Sequence, residues 1–174
     1  MGTTDKPIAL VVGAGDHLGA AIARRFAREG FHLVVTRRRG DLEKLCVEIS
    51  DLGSTATAIH SDARDETQVT ELINRVESEL GPIRVAIFNV GGNVRFDLCE
   101  TTTRVYQKVW EMCALAGFLV GREVAAKMLT RNEGTILFTG ASASLRGGAG
   151  FSAFAGGKHA LRALAQSMAR ELGP

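Results

Sequence analysis

Little in this sequence points to a nucleic acid, a membrane or a metal. Its 21 Lys and Arg residues nearly balance 19 Asp and Glu, and a net charge of +2 is too small to recruit nucleic acid or an acidic lipid surface. No apolar run approaches the length of a bilayer span. Met1–Lys6 is short and polar, without the pattern of a secretion signal. The expectation is a soluble, cytoplasmic protein. Cysteine is scarce: Cys46, Cys99 and Cys113 form an odd set without metal-ligand spacing, so reduced thiols and no metal site are expected. Tyrosine is scarcer still, with Tyr106 the only one. There is no internal repeat, linker or low-complexity stretch, and 174 residues suit a single domain spanning 1–174.

What is present is apolar and regularly punctuated. Hydrophobic residues make up 45% of the chain, enough for a full core. Short apolar runs at Ile8–Val12, His32–Thr36, Ala56–His60, Val85–Phe88 and Thr135–Thr139 read as strands. Between them, helical spacing predicts helices over Ala20–Glu29, Asp41–Leu52, Glu66–Leu80, Thr103–Leu129 and Ala153–Leu172. In the third of these, Val69, Leu72, Ile73, Val76 and Leu80 share one face. Alternation of apolar strands with helices predicts an α/β fold: a doubly wound parallel sheet, ordered 3-2-1-4-5 and covered on both faces. In such a sheet the ligand crevice opens where strand order reverses, between strands 1 and 4. The segments Gly13–Gly19, Asn89–Gly92 and Thr139–Ser144 all follow strands, so they should converge there.

A glycine-rich turn from a first strand into a helix can hold a pyrophosphate. The backbone approaches closely, and the helix N-terminus offers free N–H groups and partial positive charge. Gly13, Gly15, His17, Leu18 and Gly19 are the candidates. Strand 2 ends in Thr36-Arg37-Arg38-Arg39, where an NAD site would carry an acid for the ribose 2′-hydroxyl. Thr36, Arg37 and Arg38 suit a 2′-phosphate instead, so NADP(H) is expected in preference to NAD(H).

The spacing Gly13-x-Gly15-x-x-x-Gly19 resembles that of the short-chain dehydrogenase/reductase family. The resemblance extends over nearly the whole chain. Asp62, with Ala63 beside it, is similar to the family's aspartate after strand 3, which meets the adenine. Asn89-Val90-Gly91 is similar to the Asn-Ala-Gly motif, and Lys158 to the lysine of Tyr-x-x-x-Lys. His17 departs from the pattern, because it stands where the family has its middle glycine. It could crowd the phosphates or donate to one.

The resemblance implies hydride transfer between a nicotinamide and a carbonyl or alcohol carbon. A tyrosine moves the proton, a lysine lowers its pKa and binds the nicotinamide ribose, a serine holds the substrate oxygen, and an asparagine supports a water relay. In this chain the tyrosine position is Phe154, the serine position Ala141 and the asparagine position Cys113; Lys158 remains. Ser142, one residue from the serine position, could orient a substrate but has no evident base. Tyr106 reads as a packing residue and Cys113 as a buried small apolar one. The expectation is a dinucleotide-binding oxidoreductase that has lost its usual proton donor. The alternative is a non-catalytic dinucleotide-binding protein serving as sensor, scaffold or subunit partner.

Family members continue past the equivalent of Pro174 with further strands. Without them strand 5 would be an open edge, so either a longer chain or a partner is expected to cover it. The helices over 103–129 and 153–172 are rich in small and apolar residues and pair across a two-fold in the resembled family, which implies a homo-oligomer.

Overall fold

In the computed structural model, which describes residues 5–173, five parallel strands form one sheet. They are β1 (Ile8–Val12), β2 (His32–Arg37), β3 (Thr55–His60), β4 (Ile83–Phe88) and β5 (Thr135–Phe138), in the order β3-β2-β1-β4-β5. The β1 strand sits at the centre, with Leu10 opposite Val34 on one side and Ala86 on the other. Side chains alternate across a strand, so β1 feeds two cores. Ile8, Leu10 and Val12 pack on one face, while Ala9 and Val11 pack on the other.

Helices α1 (Leu18–Arg28) and α2 (Glu43–Asp51) cover the second face. The first approaches closely because its inner stripe is Gly19, Ala20, Ala23 and Ala27. Helix α3 (Glu66–Arg75) runs on into a π-helical turn, Val76–Leu80, and packs on the first face. Asp65 caps it by accepting from the Gln68 N–H, while the Gln68 side chain bonds back to Asp65. Helices α4 (Thr103–Trp110) and α5 (Ala116–Arg131) are joined by a π-helical turn, Glu111–Leu115, and α6 (Ser152–Leu172) follows β5.

Three sequence expectations shift. The helix expected over Thr103–Leu129 is interrupted by the π turn and runs on to Arg131, where Asn132 in the left-handed conformation (φ 51°) stops it. Strand β4 starts at Ile83 rather than Val85. Glu77 accepts the Ile83 N–H at 3.0 Å, and Arg131, paired with Glu77, donates to the Ile83 carbonyl at 2.5 Å. Coverage on both faces holds for β1 and β2 and largely for β4, but not for the edge strands. Leu137 on β5 is 44% exposed, because α1 and α2 do not extend over its face, and no strand among the described residues lies beyond β5. Among those residues no helix is long and apolar enough to cross a membrane.

Candidate functional site

The three loops named above do meet at the carboxyl ends of β1 and β4. The N–H groups of Gly13 and Ala14 both donate to the Thr36 carbonyl at 2.9 Å, tying the glycine loop to the end of β2. Asn89 donates its N–H to the Val12 carbonyl (2.8 Å) and its side-chain amide to the Gly13 carbonyl (3.0 Å). The Thr139 N–H donates to the Phe88 carbonyl at 2.9 Å. Gly13 has φ +92°, and a Cβ there would stand 2.8 Å from the Asn89 carbonyl oxygen, so only glycine closes this joint. Gly19 touches Gly13 and Ala14 backbone for the same reason; its Cβ would come 2.7 Å from Ala14 Cα. Over Gly15 the space is open. Helix α1 begins there with no acid in its first turn and no side-chain cap, leaving its N-terminal end available to an anion. His17 and Leu18 are exposed, so His17 does not fill the loop.

Beyond the glycine loop lies a cleft of about 350 Å³. Gly13, Gly15, Ser61, Asp62, Ala63, Asn89, Val90, Gly91 and Met112 line it, with Arg37, Arg38, Arg39 and Arg64. Asp62 binds Arg64 in a two-pronged pair at 2.9 and 2.6 Å and lies 3.8 Å from Arg38. The Arg64 guanidinium, followed by its N–H and the nearby charge of Arg38, holds the Asp62 carboxyl down at about 2. Arg37 bends back over the turn, donating to the Arg39 carbonyl (2.5 Å) and to Asp16 Oδ1 (2.6 Å). Gly40, at φ +94°, makes room for it: a Cβ there would stand 2.7 Å from Arg37 Cζ. Two buried hydroxyls at this end, Thr36 Oγ1 and Ser61 Oγ, have no partner. Asp16, Ser61, Arg64 and Met112 did not stand out in the sequence. Arg64 was legible as a second basic residue two positions from Asp62.

At the other end of the crevice Lys158 is 4% exposed. Its ammonium donates to the carbonyls of Thr139 (2.8 Å) and Val90 (3.3 Å). Burial pushes its pKa down. The Phe154 ring lies 6.0 Å from Nζ and packs among Val94, Val105, Val109, Cys113 and Ala153. Cys113 is fully buried against Gly157. Ala141 is half-buried; its N–H donates to Ser144 Oγ at 3.0 Å, while Ser142 is exposed. Tyr106 lays its hydroxyl against Gly156, two residues from Phe154 and so on another face of α6. The structure therefore brings Lys158, Phe154 and Cys113 together and leaves Tyr106 apart from them.

A parallel sheet in this order, with a glycine loop, a basic cleft and a buried lysine at its switch point, defines a doubly wound, Rossmann-like fold. The short chain dehydrogenase family profile matches residues 7–174, and the chain belongs to the short-chain dehydrogenase/reductase family. A short-chain dehydrogenase/reductase of Armillaria gallica is 30% identical over 171 residues, covering 96% of this chain and 66% of that protein. A crystal structure of a short-chain dehydrogenase from Rhodopseudomonas palustris is 53% identical, with a TM-score of 0.91 over 95% of this chain and 78% of that one. Actinorhodin polyketide ketoreductase with NADPH is 26% identical (TM-score 0.93; 99% of this chain, 67% of that one). NAD+-bound xylitol dehydrogenase is 27% identical (TM-score 0.93; 97% and 65%). The chain spans slightly under two thirds of the length of curated relatives that it matches, such as those of Armillaria gallica and Bacillus subtilis.

Proposed function

We propose that this chain forms the nucleotide-binding part of an NADP(H)-preferring oxidoreductase in which the family's proton donor has been lost. The observation that carries the cofactor reading is the 350 Å³ cleft: four arginines and an unpartnered buried Ser61 hydroxyl beside an open glycine loop. The residues fit an adenosine phosphate. Gly13, Gly15 and the α1 N-terminus would hold the pyrophosphate, Arg38 with its neighbours the 2′-phosphate, and Asp62, Ser61 and Ala63 the adenine. Bound NADPH supplies a hydride at the nicotinamide. The chain's own Lys158, fixed by Thr139 and Val90 at the far end of the crevice, would support the nicotinamide ribose. No hydroxyl stands beside Lys158 at Phe154, and none at Ala141, so proton transfer to a carbonyl oxygen lacks its usual route.

A second reading, a dinucleotide-binding protein without dehydrogenase activity, is favoured by that same contact of Phe154 with Lys158. The two separate in one experiment. Purified protein is titrated with NADPH and NADH, then screened with NADPH against aldehydes, ketones and quinones. Tighter binding of NADPH with turnover above about one per second supports an oxidoreductase with another acid; binding without turnover supports the second reading. Failure to bind either nucleotide, or a preference for NADH, overturns the cofactor assignment.

A further inference from the structure

Arg37 stands at the boundary between two hollows. On one side is the adenosine-end cleft; on the other is a hollow of about 400 Å³ between α1 and α2, which Asp16 and Lys44 help to line. Asp16 belongs to the second hollow, and it holds Arg37 by a 2.6 Å bond from Nη1 to Oδ1. The Nε of Arg37 is bound as well, to the Arg39 carbonyl. A guanidinium with two of its donors engaged, one of them by a carboxylate, offers an incoming anion less charge and fewer free donors. Arg38 has only a loose 3.8 Å pairing with Asp62. The sequence offered no acid at the end of β2; the fold supplies one from the glycine loop, 21 positions away from Arg37.

We infer that Asp16 is a positioning residue for cofactor choice: it restrains Arg37 at the wall of the site and so limits the preference for a 2′-phosphorylated nucleotide. Two effects act in the same direction. The carboxylate cancels much of the Arg37 charge, and it repels a phosphate brought to that arginine. Both nucleotides share the pyrophosphate that the glycine loop would meet, so the difference between them lies in the 2′-phosphate at Arg37. Removing the carboxylate therefore strengthens NADP(H) binding specifically, the opposite of what loss of a merely structural contact does. The Asp16 side chain is 79% exposed, so its replacement leaves the core intact.

The inference rests on the NADP(H) reading above, and its test distinguishes the two. Dissociation constants for NADPH, NADH, adenosine 2′,5′-bisphosphate and AMP are measured by calorimetry on the unmodified protein and on Asp16→Asn, Asp16→Ala and Asp16→Glu. Asp16→Asn and Asp16→Ala are expected to raise the NADPH:NADH affinity ratio about tenfold, the effect of one released charge-assisted contact. NADH and AMP should stay within about twofold, and the bisphosphate should follow NADPH. Asp16→Glu, which keeps the pair, should stay near the unmodified ratio. If the unmodified protein prefers NADPH but the ratio is unchanged or falls in both Asn and Ala variants, the inference is wrong. Equal weakening of all four ligands also overturns it and makes Asp16 a residue of loop structure. If the unmodified protein shows no preference for a 2′-phosphate, the cofactor reading fails first and takes this one with it.

Discussion

Phe154 holds its ring 6.0 Å from the ammonium of Lys158, one turn away on the same face of α6. On the proposed reading the pair keeps the shape of a catalytic dyad without an exchangeable proton on the ring. A Phe154→Tyr change alone is expected to give at most a trace rate of NADPH-dependent carbonyl reduction. Losing a general acid costs roughly 100–10,000-fold, and losing an oxyanion donor such as a serine at position 141 costs about 100–1,000-fold more. The double variant Phe154→Tyr/Ala141→Ser should exceed either single one by more than their product, because such groups act as a unit. Steady-state rates of the four proteins test this; a robust rate in the unmodified protein would contradict it.

Lys158 also carries a stability signature. Its pKa lies below the ordinary lysine value in the folded protein, because burial disfavours the charged form. Between that lowered value and the ordinary one, the unfolded chain binds the proton and the folded one does not, so stability contributed by this group rises with pH. Urea unfolding from pH 7 into the alkaline range should show Lys158→Met lacking this rise. At pH 7 the variant removes the cost of a buried charge but leaves the Thr139 and Val90 carbonyls without their donor, so the two effects oppose each other there.

Asp62 works in the opposite sense. Its carboxyl is held at about 2 against an ordinary 3.8, so the folded state gains from its ionisation above pH 4 and loses that gain as pH falls toward 2. Asp62→Asn should be less stable than the unmodified protein near neutrality by on the order of 1 kcal/mol, the upper end for a solvent-screened pair. The difference should close below pH 3. Melting temperatures measured across pH 2–7 would show a constant gap if the pairing with Arg64 did not matter.

Helices α4 and α5 leave Tyr106, Trp110 and Phe118 exposed, and Arg122 lies 5.3 Å above the Phe118 ring. A homo-oligomer formed through the segments 103–129 and 153–172 would cover them. Light scattering at micromolar concentration should find a species larger than one chain, and Phe118→Asp should shift it toward the monomer. A strictly monomeric unmodified protein would exclude this assembly.

Much of this architecture could be read from the residues. The β1 run and the glycine loop are local patterns, and both appear where the residues placed them; the inner stripe of α1 is instead Gly19, Ala20, Ala23 and Ala27, with Ala21 exposed. The inner face of α3, from Val69 to Leu80, is legible for the same reason. The two π turns were not, since an extra residue in a helical turn leaves no mark in apolar spacing. Nor were the partners of Lys158, which come from carbonyls 19 and 68 positions away and depend on how two loops cross. The Asp16–Arg37 pair needed the left-handed bend at Gly40 before it could be seen.

The bond from Asn89 to the Gly13 carbonyl joins positions 76 apart in the chain. A single helical crossover joins β1 to β2 and another joins β2 to β3, so the β3-β2-β1 half can assemble from nearer neighbours. The far side of β1 must wait for β4, which brings Asn89 with it. Closing that longer loop is entropically costlier and slower. The glycine turn is thus clasped late during folding, and nucleotide affinity should develop with the final step of assembly rather than with the first collapse.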